Sequence, residues 1–155
     1  MAGPSEQQRD SIRRSVGTVE TESALEGVLA DIHGMATGDL EWVNERSSDS
    51  LSEGEAEDLL ADVEAWAGLA SYVIVDFYTG FEFEDKAVGA DFFRKLTRSP
   101  FKLAPGWDKS IVKRLQEIVK VLRRAMELVC KTLMAASFSI GVGFPWGVSV
   151  SLTWG

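Results

Sequence analysis

The sequence predicts a mainly α-helical protein, a four- to five-helix bundle with a C-terminal amphipathic β-hairpin. Three observations lead there. Long segments repeat apolar residues at spacings of three and four, the period of a half-buried helix. One stretch, residues 65–75, has no charge on any side, as expected of a helix surrounded by others. From Phe138 to the end the period switches to two, the signature of strands.

Taken in order, residues 5–16 read as a short helix with Ile12 and Val16 as its apolar points, ended by Gly17 and Thr18. Residues 1–17 are expected to form a mobile N-terminal segment, 18–136 the bundle and 137–155 the hairpin tail. A second helix spans 19–33, with Leu25, Val28, Leu29, Ile32 and Met35 on one stripe. Gly34 and Gly38 weaken its end, and Asp39 suits a cap for a short turn holding Leu40, Trp42 and Val43. Residues 47–54 are a polar loop. Ser52 and Glu55 have capping-box spacing, which starts a third helix running to about residue 78. Its stripe is Leu59, Leu60, Val63, Ala67, Ala70, Ile74 and Phe77, and Gly80 ends it.

A short helix is expected at 87–98, with Phe92, Phe93 and Leu96 inward and Pro100 as its stop. Pro105-Gly106 makes a turn, and Asp108 caps a last helix over 109–136. Its stripe is Ile111, Leu115, Ile118, Leu122, Ala125, Val129 and Leu133, widened by Val112, Val119 and Met126.

In the tail, Phe138, Ile140, Val142, Phe144, Trp146, Val148, Val150, Leu152 and Trp154 occupy every even position. Ser, Gly and Thr fill the odd ones, apart from Pro145. The expected hairpin has strands at 138–144 and 148–154 about a turn at 144–147. No charge follows Lys131, so its edges have no lysine or glutamate to deter pairing, only the proline. An isolated hairpin is marginal in water, so something must cover its apolar face. The cover is the chain's own helices, tails of other copies paired edge to edge, or the lipid around a membrane barrel.

Composition excludes several function classes. At 155 residues and 45% apolar, the chain is one domain able to bury a core. One Cys and one His exclude a disulfide framework, a Cys-cluster metal site and multi-His zinc. The acids at Glu53, Glu55, Glu57, Asp58, Asp62 and Glu64 do not fit a calcium-loop register and read as a solvated helix start. Neither His33 nor Cys130 has a partner at catalytic spacing. No catalytic residue, cofactor or metal is therefore assigned, and no enzyme activity is expected. The N-terminus lacks the apolar core of a signal peptide, and a cytoplasmic location is expected.

The net charge of -8 argues against nucleic acid as a partner. That average hides a segregation: residues 18–64 hold fourteen acids and one base, Arg46, whereas 86–131 hold twelve bases and four acids. The acidic and basic helices are expected to face each other. The bases around the last stripe, Lys113, Arg114, Lys120, Arg123 and Arg124, are candidates for contact with an anionic surface. The resulting expectation is a non-enzymatic, self-assembling protein of effector or pore-forming type. In this reading the even-numbered tail residues make homo-oligomer or membrane contacts, and the protein becomes membrane-associated after assembly. The alternative is a helical adaptor or regulator whose hairpin is part of its core.

Overall fold

The computed structural model describes residues 3–19, 21–47, 50–81, 109–143 and 147–154. Among them are four packed helices, α1 (Glu6–Gly17), α2 (Glu22–Leu40), α3 (Glu53–Phe81) and α4 (Lys109–Thr132). A two-stranded antiparallel hairpin follows, β1 (Ser137–Gly143) and β2 (Gly147–Thr153). The expected helix at 87–98, the Pro100 stop, the Pro105-Gly106 turn and the Asp108 cap lie outside the described residues, as does the tail's turn at 144–146.

Each helix start has a local cause. Ser5 and Gln8 form a reciprocal capping box on α1, with the Gln8 amide donating to Ser5 Oγ (3.1 Å) and the Ser5 amide to Gln8 Oε1 (2.9 Å). The Thr21 hydroxyl accepts the Ala24 amide at the start of α2. Ser52 and Glu55 exchange the expected pair of bonds, both 3.2 Å, at the start of α3. The Ser52 amide, and secondarily its hydroxyl, also lowers the pKa of the Glu55 carboxyl.

Helix α1 packs on the bundle, burying Ile12 and Val16 in the common core. The other helices differ from the sequence reading in three places. Helix α3 continues through Gly80 to Phe81. The second helix does not end at residue 33. It continues through Gly34 and Gly38 to Leu40, and a 3₁₀ turn, Glu41–Glu45, follows. Each glycine costs about 1 kcal/mol against alanine in a helix interior. Burial of Ile32, Ala36 and Leu40 along the same face outweighs that cost, at about 1.5–3 kcal/mol for a full aliphatic side chain.

The third difference is at the end of α4, which stops at Thr132 rather than at 136. Met134 adopts the left-handed conformation, φ 57°. The Ala135 amide donates to the Cys130 carbonyl (3.0 Å) and the Met134 amide to the Lys131 carbonyl (3.3 Å). That pair of bonds is a Schellman closure with methionine where glycine is usual.

Helix α3, which holds the uncharged stretch 65–75, is central and touches α1, α2, α4 and β2. Trp66, its largest side chain, is fully buried, and its Nε1 donates to Asp39 Oδ2 on α2 at 2.8 Å. Asp39 is thus an acceptor inside α2, not the cap of a following turn. Helices α2 and α4 pack together, so acidic and basic segments do meet, through Arg114 and Glu26. No helix among the described residues is long and apolar enough to cross a membrane.

Candidate assembly element and basic surface

The hairpin register is set by Ser137 opposite Thr153 at the open end and Gly143 opposite Gly147 beside the turn. This places Phe138 across from Leu152, Ile140 from Val150 and Val142 from Val148, all on one face. That face lies on the bundle, with β1 along α4 and β2 along α3. Ile140 and Val148 are buried, and Phe138, Val142, Val150 and Leu152 are half-buried against the same core. Of the three covers open to the sequence, the chain's own helices supply the one seen here. Trp154 stands apart at 60% exposed. Phe144 and Trp146, the other two tail candidates, lie outside the described residues.

The opposite face carries Ser139, Gly141, Ser149 and Ser151, with the three serines exposed. With Ser137 and Thr153 at its open end, this face has no charge and no side chain larger than that of threonine, so it is neutral and built of small residues.

Among the described residues, two side chains of the bundle reach the hairpin backbone. The Ser71 hydroxyl on α3 meets both the amide and the carbonyl of Val148. Arg123 Nη2 on α4 donates to the Ile140 carbonyl at 3.1 Å. In an antiparallel ladder, residues alternate between pairs that bond to each other and pairs whose polar groups point away. Val148 and Ile140 therefore occupy outward-pointing positions, and the alternation puts Phe138, Val142, Val150 and Leu152 in the same class. Ser71 and Arg123 cover one position on each strand edge. Sequence reasoning missed Ser71, an uncharged residue within an apolar helix, and read Arg123 as a surface cation.

The five basic candidates on α4 do different things. Arg114 pairs with Glu26 on α2 and with Glu117 (2.9 Å) one turn along. The hydrogen bond to Glu26 raises its pKa further, so it is a neutralised interhelical tie. Arg123 serves the hairpin, and Arg124 Nη1 donates to Asn44 Oδ1 at 2.7 Å. Lys113 and Lys120 are exposed. With Arg124 and Lys131, they step by seven, four and seven along α4, which aligns them on one outward ridge.

His33 lies within α2, where its carbonyl accepts the Thr37 hydroxyl, and Cys130 is half-buried with its thiol toward the Ala135 carbonyl at 3.5 Å. Among the described residues, no group of three His, Cys, Asp or Glu side chains is placed to hold a metal ion. Comparison with known proteins gave no match: no family model, no curated protein and no solved structure matches this chain.

Proposed function

We propose that this chain is a non-enzymatic self-assembling protein in which the C-terminal hairpin joins copies through its strand edges. The observation that carries this reading is the composition of the hairpin's outward side. Its exposed face is serine, glycine and threonine, its edges have no charged residue of their own, and the bundle reaches the outward backbone through Ser71 and Arg123. Unpaired amides and carbonyls on a neutral strand of small residues are a template for a further strand. With the apolar face seated on α3 and α4, edge pairing needs no unfolding of the bundle.

Membrane insertion is the more demanding form of the same idea. It requires release of the apolar face from the bundle, and seven-residue strands fall short of the about 9–11 residues that span a bilayer. The competing reading is a helical adaptor in which the hairpin only completes the core, as the burial of Ile140 and Val148 would suit.

Sedimentation velocity over a range of concentrations separates the two. The double substitution Ser139→Lys and Ser151→Lys puts charges on the exposed face while leaving the apolar face seated. Assembly is expected for the native chain and is expected to vanish in the double variant. A monomer at every concentration for both would favour the adaptor. Dye release from anionic liposomes, run on the same two proteins, tests the membrane form separately.

A further inference from the structure

A cleft of about 470 Å³ opens between the 3₁₀ turn after α2 and the last two turns of α4. Val43 and Leu128, both buried, form its apolar floor. Arg46, Arg124 and Lys131 line it, with the side chains of Asn44 and Ser47 between them. Glu127 is the one carboxylate among the described residues on its wall.

The charges in this cleft are unbalanced. Among the described residues, none of the three cations has a carboxylate within salt-bridge range, in contrast to Arg114 on the same helix. Arg46 stacks over the Trp42 ring, 5.6 Å from its centroid, and reaches the Ser50 carbonyl. Arg124 is oriented by Asn44 Oδ1, which leaves the amide nitrogen of Asn44 as a further donor. The hydrogen-bond and ring partners of both guanidiniums are thus neutral, while Arg46 also acts at longer range on the Glu55 carboxyl, whose pKa it helps to lower. Among the described lining residues, three cations against Glu127 leave an excess of about two positive charges. The C-terminal end of α4 opposes this with only about half a negative charge. The local field is positive, although the protein as a whole carries a net charge of -8.

We infer that this cleft binds a phosphate-bearing anion. Two guanidinium forks and an ammonium suit the several oxygens of a phosphoryl group, which an isolated carboxylate would not fill. An excess of two positive charges matches a dianion, and the apolar floor strengthens the attraction by lowering the local dielectric. The same chemistry is found in a free phosphate ester and in a phosphorylated lipid headgroup. The inference does not rest on the hairpin or on assembly, because none of the described hairpin residues lines the cleft.

The test is calorimetric titration of the full chain with inorganic pyrophosphate at low salt, alongside vesicle sedimentation. The vesicles are phosphatidylcholine with or without a few per cent of a phosphatidylinositol bisphosphate. Saturable one-to-one pyrophosphate binding is expected, weakened at least tenfold by Arg124→Gln with Lys131→Gln. Lys113→Gln, which removes a charge from the same ridge but outside the cleft, is expected to leave it unchanged. Glu127→Gln is expected to tighten binding several-fold, a gain that misfolding cannot imitate. Binding to the phosphoinositide vesicles as well identifies a headgroup site, and binding of pyrophosphate alone identifies a soluble ligand. No binding to either probe, or equal weakening by Lys113→Gln, would overturn the assignment.

Discussion

Ser71 and Val148, 77 residues apart in the chain, exchange two hydrogen bonds: the serine hydroxyl donates to the valine carbonyl at 3.0 Å and accepts its amide at 3.1 Å. One small side chain thus satisfies both outward backbone groups of a buried strand residue. Ser71→Ala leaves both groups without a partner against α3, at a cost of about 1–3 kcal/mol. The expected result is a melting temperature lower by several degrees, together with faster amide exchange across β2 than across α3. Equal exchange in both elements would show that the hairpin does not depend on this contact.

Met134 gives the opposite sign. It holds φ 57° at the Schellman closure of α4 and is 87% exposed, so its side chain contributes little packing. A left-handed backbone costs a non-glycine residue roughly 1–2 kcal/mol, and glycine nothing comparable. Met134→Gly is expected to stabilise the protein by up to about 1 kcal/mol, since glycine's greater freedom when unfolded offsets part of the gain. In a chain of this size that is roughly 2–4 °C in thermal unfolding.

Asp62 ties stability to pH. It is 5% exposed, and its Oδ2 has no hydrogen-bond partner among the described residues. Burial raises its pKa first, and the negative charge of Asp39 adds to the shift. The folded protein therefore keeps a proton that the unfolded chain releases at an ordinary aspartate pKa of about 3.9. Between that value and the raised folded one, stability falls as pH rises, and the penalty is complete above the folded pKa. Asp62→Asn is expected to raise the melting temperature at neutral pH and to flatten its dependence across the acidic range. An unchanged pH profile would mean that Asp62 is not the group responsible.

Gly3 packs close to the same residue. Its φ is 61°, and an added Cβ would stand 3.3 Å from Ala65 Cβ and 3.5 Å from Asp62 Oδ1. Gly3→Ala combines a left-handed penalty of about 1 kcal/mol with that close approach. The expected outcome is easier proteolysis near the N-terminus, with global unfolding little changed because Ile12 and Val16 still anchor α1. Protease resistance equal to the native protein would show that Gly3 is not needed there.

The bundle and the hairpin were legible because their signals are periodic and local. The stripe of α4 from Ile111 to Val129, the capping box of Ser52 and Glu55, and the even-numbered face from Phe138 to Leu152 are written in neighbouring residues. The end of α4 was not legible, because methionine at Met134 gives no warning of a left-handed turn. Continuation of α2 through Gly34 and Gly38 was hidden for a related reason, since the favourable burial comes from helices distant in sequence. For the basic residues, spacing showed a charged helix face but not that Arg114 is neutralised while Arg124 lines a cleft.

The presence and order of the described helices and strands, their faces and the charge segregation, though not the ends of α2, α3 and α4, follow from this sequence alone, because each depends on residues within a few turns or a single strand. What covers the hairpin, which of its backbone groups are satisfied and where unpaired positive charge collects emerge only once the chain has folded. Ser71 with Val148, Arg124 with Asn44 and Trp66 with Asp39 join residues 77, 80 and 27 positions apart. Contacts of that range are set by packing geometry and leave no periodic trace in the chain.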